Sequence, residues 1–117
     1  MSFLSNLFGP PVPGIEASAA QTKLNEKPKP LVLDVRESSE YAAGHIAGSM
    51  SIPLGKLSSR MSELPKDREI ICVCASGSRS SSAARHLLKN GYTVFNLSGG
   101  MYRWQRASLP LKKGMSK

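Results

Sequence analysis

Ile70-Ile71-Cys72-Val73-Cys74-Ala75-Ser76-Gly77-Ser78-Arg79 is the stretch that decides how this chain folds. Its first half is a short, unbroken apolar run, the pattern of a strand buried on both faces of a sheet. Its second half is small residues ending in an arginine. Beyond it, Ser80 to Asn90 sets Ala83, Ala84, Leu87 and Leu88 on one helical face, and Gly91 supplies a C-terminal cap. The order is strand, tight loop, helix.

The same alternation continues outward. Upstream, Leu31-Val32-Leu33-Asp34-Val35 is a second buried-type strand, and Ser38 to Ala43 reads as a short helix closed by Gly44. Ser49 to Ile52 is a brief strand stopped by Pro53. Leu54, Leu57, Met61 and Leu64 follow at helical spacing, ended by Pro65. Further upstream, Ile15-Glu16-Ala17 is a short first strand and Ser18 to Leu24 a helix with Ser18 as N-cap. Downstream, Thr93 to Leu97 is a β-branched strand and Met101 to Ala107 a last short helix, with Trp104 in the core. Strands alternating with helices define an α/β class with a mostly parallel sheet.

A chain of 117 residues holds one domain with a real core. Residues 1–11 read as an N-terminal tail, 12–111 as the domain, and 112–117 as a basic, disordered C-terminal tail. Phe3, Leu4, Leu7 and Phe8 fit one face of a short helix, but a frayed tail or a flap packed on the domain is the preferred reading. No apolar stretch nears the roughly 20 residues of a transmembrane helix, and the N-terminus lacks signal-peptide character. The only cysteines, Cys72 and Cys74, stand two apart on a strand, too far for an easy disulfide. A reducing cytoplasm is the default compartment. His45 and His86 show no metal-ligand spacing, so no metal or cofactor is expected.

The charge is +8, from 16 basic and 8 acidic side chains. That excess attracts anions and acidic protein surfaces. The basic residues are scattered, and none of the seven aromatics interleaves with a basic cluster, so nucleic acid is not expected as a partner.

Ligands of open α/β sheets bind beyond the carboxyl ends of the strands, where Cys74 stands. Small residues let the backbone curl around the thiol, and Gly77 permits a geometry that side chains hinder. The N–H groups of such a loop, with a helix N-terminus, form a positive cradle. Arg79 adds a charge able to grip an oxyanion. These features favour a thiolate, which needs no general base. The expected site is Cys74 as nucleophile, with Ala75, Ser76, Gly77, Ser78, Arg79 and Ser80 binding a small anionic substrate. Cys72, inside the apolar run, reads as core. Asp34 and Arg36, at the end of a buried strand, read as an internal salt bridge supporting the site, with Glu40 as a further partner.

Three ordered segments resemble the rhodanese family. The loop at Cys74 is one. Leu31-Val32-Leu33-Asp34-Val35-Arg36-Glu37, then Glu40-Tyr41-Ala42-Ala43-Gly44-His45-Ile46-Ala47-Gly48 and Ile52-Pro53, is the second. Leu97-Ser98-Gly99-Gly100-Met101 with Trp104 and Leu109-Pro110 is the third. The resemblance implies a rhodanese-like, five-stranded parallel sheet flanked by helices on both faces. It further implies that Cys74 takes a sulfane sulfur from thiosulfate or a persulfide donor, becomes a persulfide, and passes the sulfur to cyanide or a thiol. His45 takes a structural hydrogen-bonding role by the same resemblance.

Four residues separate Cys74 from Arg79. Related phosphatases and arsenate reductases have a longer, wider loop, so the interval resembles the sulfurtransferases. Ala75 replaces an arginine common in the family, which leaves thiosulfate binding to Arg79. A persulfide carrier that hands sulfur to an acidic partner protein, with little thiosulfate turnover, is the second expectation. His86 is expected on the exposed face of its helix, and Gly99-Gly100 as a tight strand-to-helix turn.

Overall fold

The computed structural model describes residues 11–116. The expectations for Phe3 to Phe8 lie outside that range. Five strands form one parallel sheet: β1 (Gly14–Ile15), β2 (Leu31–Asp34), β3 (Met50–Ser51), β4 (Ile70–Val73) and β5 (Val94–Leu97), in the order β1-β5-β4-β2-β3. β4 is central, and none of its residues is more than 1% exposed. A parallel strand covered on both faces has no polar side to show, which accounts for the unbroken apolar run.

The helices are α1 (Ala17–Leu24), α2 (Ser38–Ala43), α3 (Leu57–Arg60), α4 (Ser78–Lys89) and α5 (Gly100–Arg106). Ile70, Cys72 and Cys74 point to one face of the sheet, into a core with Leu33, Val35, Val94, Leu57 of α3, and Ala83, Ala84 and Leu87 of α4. Ile71 and Val73 point the other way, into a core with Val32, Leu97, Ala17 and Ala20 of α1, and Met101 and Trp104 of α5. Trp104 is core as expected, and its indole N–H donates to Pro110 O at 2.9 Å. Among the described residues, no helix is long and apolar enough to cross a membrane.

Four local expectations are corrected. Helix α4 starts at Ser78, not Ser80, because Gly77 takes the N-cap position at φ 106°. Ser78 and Arg79 therefore sit in the first helical turn. Helix α1 starts at Ala17 with Glu16 as N-cap, so Ser18 lies inside the helix, where its carbonyl accepts from the Thr22 hydroxyl at 3.1 Å. The helix expected from Leu54 to Leu64 is broken into 3₁₀ turns at Leu54–Lys56 and Met61–Glu63 on either side of α3. Leu57 and Leu64 are buried, and Leu54 and Met61 pack partly buried against the same core, so the four apolar residues face inward although the helix is interrupted. His86 is half-buried rather than exposed, with Nε2 at 3.4 Å from the Ser58 hydroxyl.

The C-terminal segment, expected to be disordered, is docked. His45 N–H donates to Lys112 O and Lys112 N–H to His45 O, at 2.9 and 2.8 Å, and Gly114 N–H donates to Ala42 O at 2.8 Å. The His45 ring stacks on Tyr41 with centroids 3.7 Å apart, and its nitrogens lie 2.8 Å from Tyr41 O and 2.9 Å from Ser116 O. Backbone groups left open by the His45 turn need partners, and the segment supplies them.

Candidate active site

The sheet delivers Cys74 to the start of the loop. Val35 N–H donates to Val73 O at 2.9 Å, so the strand pairing runs to the residue before the thiol. The chain then curls back. Gly77 N–H points at Cys74 Sγ from 3.1 Å, and the Ser80 hydroxyl lies 3.3 Å from the same sulfur. Gly77 is required here, since its left-handed backbone brings its own N–H over the sulfur and starts α4 at once.

Asn96 of β5 ties the two ends of this curl together. Its amide N–H₂ donates to Gly77 O at 3.1 Å, and its Oδ1 lies 2.5 Å from the Ser80 hydroxyl. Ser80 has one hydroxyl hydrogen and two acceptors within reach. Asn96 Oδ1 and Cys74 Sγ compete for that hydrogen.

A second set of bonds holds the loop from outside. Met101 N–H donates to Cys74 O at 2.9 Å and Tyr102 N–H to Ala75 O at 3.1 Å. A trans peptide unit points its C=O and N–H in opposite directions. Pinning the Cys74 and Ala75 carbonyls against α5 therefore turns the N–H groups of Ala75 and Ser76 the other way, into the loop. The close approach depends on Gly100 (φ 55°), where a Cβ would collide with Cys74 O and come within 2.6 Å of Ala75 O.

The electrostatics follow from this geometry. Burial pushes the Cys74 thiol up, but the Ser80 hydroxyl and the backbone N–H groups of Ser80, Gly77 and Ser76 outweigh it and hold the thiol below its ordinary range. Cys72, on the same face of the strand, has no such donors. Burial and the neighbouring Cys74 charge push it up to about 12. The two thiols are therefore pushed in opposite directions, Cys74 toward the thiolate and Cys72 away from it. Cys74 is 0% exposed, beneath its own loop.

The other expected residues divide into two groups. Ser76 and Gly77 lie around the sulfur with Ser80. Ala75 is a half-buried rim residue held by its carbonyl, and Ser78 is exposed, its hydroxyl 3.4 Å from that of Ser76. Arg79 is turned away from the open-handed role its charge suggested. Nη1 and Nη2 donate to the two Glu40 carboxylate oxygens at 2.7 and 2.9 Å. Glu40 therefore belongs to Arg79 and not to the Asp34–Arg36 pair. That pair is separate and buried. Arg36 Nη2 donates to Asp34 Oδ2 at 2.8 Å and to Gly44 O at 2.7 Å, and Arg36 N–H caps Asp34 Oδ1 at 3.0 Å. It ties the end of β2 to the C-terminal end of α2.

Asn96, Gly100 and Glu40 are the site residues that sequence reasoning missed or misplaced. Asn96 carried one visible signal, an amide side chain within the strand read as β-branched. Gly100 was legible only as a turn residue, because its collision partner lies on another strand–helix unit.

The fold and the loop define a class first: an open α/β domain that presents one activated cysteine on a backbone N–H cradle. The family model for the rhodanese-like domain matches residues 16–107, and the chain belongs to that family. A protein of Allochromatium vinosum named sulfurtransferase is 37% identical over 83% of this chain and 92% of its own length. The thiosulfate sulfurtransferase GlpE of Pseudoalteromonas translucida is 36% identical over 77% of this chain and 88% of its own. The crystal structure of a rhodanese-related protein from Thermoplasma volcanium superposes with a TM-score of 0.80 at 31% identity, covering 86% of this chain and 97% of that one. The expected family and the five-stranded parallel architecture with helices on both faces both hold.

Proposed function

We propose that this protein is a sulfurtransferase working through a Cys74 persulfide. The observation that carries the reading is the Cys74 sulfur, with Gly77 N–H at 3.1 Å and the Ser80 hydroxyl at 3.3 Å, in a loop of four residues between Cys74 and Arg79. Those donors suit a sulfur anion that lengthens outward by one sulfur. In the first half-reaction the Cys74 thiolate attacks the outer sulfur of the donor. The donor's S–S bond breaks, and its electron pair leaves with sulfite, or with a thiolate if the donor is a persulfide. The loop then stabilises the terminal sulfur of the Cys74 persulfide. In the second half-reaction cyanide or a thiol attacks that terminal sulfur, and the thiolate is restored. The sequence of steps is ping-pong.

The surplus of positive charge supports an acidic protein as one physiological acceptor. Two unpaired cysteines, one of them the nucleophile, suit a reducing compartment such as the cytoplasm. Intact mass measured after exposure to thiosulfate or cysteine persulfide tests the reading. The expected product carries one added sulfur, released by cyanide as thiocyanate. Cys74→Ser is expected to lose both, whereas Cys72→Ser keeps both. An unchanged rate of thiocyanate formation in Cys74→Ser sinks the proposal.

A further inference from the structure

We infer that Glu40 sets the donor selectivity of the Cys74 loop, favouring organic persulfides over thiosulfate by occupying the loop's one arginine. The inference rests on the sulfur-transfer reading above and names the donor class within it.

Thiosulfate is a dianion, and it must approach a thiolate. A full positive charge beside the loop offsets that repulsion further than neutral dipoles do alone. Arg79 is the only cation between Cys74 and Ser80. Both of its terminal nitrogens are engaged by the two oxygens of Glu40 in a fork-to-fork pair, which offsets its charge beside the loop. Glu40 is itself anchored, since the Glu37 N–H donates to its Oε1 at 3.0 Å in the capping box of α2. It stays ionised down to about 2, chiefly through Arg79. The next cation inward, Arg36, is engaged by Asp34 and by Gly44 O. Ala75 contributes no charge. What touches the sulfur directly is a set of neutral donors, Gly77 N–H and the Ser80 hydroxyl, while Arg79 acts on it only through space.

An organic persulfide R–S–SH suits that set. It brings at most one charge to the sulfur, and its R group needs room. A cleft of about 380 Å³ lies on the far side of Glu40 from the loop's Arg79, lined also by Arg36, Gly44, Gln105, Leu111 and Lys113, with no residue of the loop in its wall. The exchange balances without a further reagent. The Cys74 thiolate bonds to the outer sulfur, the S–S bond of R–S–SH breaks with its electron pair going to the inner sulfur, and the departing R–S⁻ takes the persulfide proton to leave as R–SH.

The test compares kcat/KM for thiosulfate and for cysteine persulfide in the wild type and in Glu40→Gln. Gln keeps an acceptor for the Glu37 N–H and returns net charge to Arg79. The thiosulfate-to-persulfide ratio is expected to rise about tenfold, through KM, the scale of one charge-assisted contact. In an Arg79→Met background the same substitution is expected to leave the ratio unmoved. If Glu40→Gln folds poorly, Glu40→Asp, which retains the charge but shortens its reach, should give a smaller rise in the same direction. A ratio unchanged by Glu40→Gln, while both donors load sulfur onto Cys74, overturns this inference and leaves the sulfurtransferase reading standing. Failure of both donors to load the wild type overturns the two together.

Discussion

The backbone N–H of Met101 donates to the carbonyl of Cys74 at 2.9 Å, so the first turn of α5 holds the peptide unit of the residue whose thiol the loop encloses. Helix α5 packs mainly on the opposite face of the sheet from the thiol, yet it sets the direction of the loop's N–H groups. Gly100 makes the approach sterically possible.

Gly100→Ala is therefore expected to cost about 2–4 kcal/mol, from a methyl forced against backbone oxygens at a positive φ. Urea unfolding measures it. The folded fraction should also alkylate more slowly at mildly acidic pH, because the released carbonyls let the N–H groups turn away from the sulfur. Wild-type stability in this variant would show that α5 does not hold the loop.

Ser80→Ala isolates the donor that lowers the Cys74 thiol most. The thiol rises, so at any pH below it the thiolate fraction falls. The acidic limb of the iodoacetamide rate profile is expected to move to higher pH, with alkylation slowed about tenfold on that limb, as loss of one hydrogen bond to a charged group implies. Asn96→Ala should move the limb the same way but less, since it acts only by positioning Gly77 and Ser80. An unmoved profile in Ser80→Ala would remove the hydroxyl from the account of the thiolate.

The Arg79–Glu40 pair makes stability depend on pH. Glu40 falls from its ordinary 4.5 to about 2, first through the Arg79 hydrogen bonds, against burial. A carboxylate lowered in the folded state stabilises above its unfolded value and loses that contribution as pH falls from about 4.5 toward 2. Both partners are about a third exposed (36% and 34%), so solvent screening holds the contribution to about 1 kcal/mol. Denaturant midpoints measured across that window should fall more steeply for the wild type than for Glu40→Gln. Parallel slopes would mean that the pair contributes nothing to folding.

Arg36→Met should be the more damaging change. Asp34 is 1% exposed, and without Arg36 its carboxylate and the Gly44 carbonyl lose their partner. Removing one member of a buried pair costs about 3–5 kcal/mol. Thermal and urea unfolding should both register it. A loss near zero would place Asp34 in contact with water.

The strand at Ile70–Val73, the parallel α/β class and the candidacy of Cys74 were all legible in the amino-acid order. Each rests on neighbours along the chain: an apolar run, a helical stripe, small residues beside a thiol. Arg79 was legible as a charge but not as a partner, because its carboxylate lies 39 positions earlier. Ser80 was placed at the site, but not the amide of Asn96 that competes for its hydrogen. The C-terminal segment read as a tail because its lysines show no pattern, and its docking depends on backbone groups that carry no side-chain signature.

Local order thus determined that Cys74 stands at the carboxyl end of a central strand, before a loop able to fold over it. Only the tertiary structure decided what that loop can attract. Ion pairs and hydrogen bonds join whatever packing brings within about 3 Å, whatever its distance in sequence. That rule assigns Arg79 to Glu40, Ser80 to Asn96 and the Cys74 carbonyl to Met101.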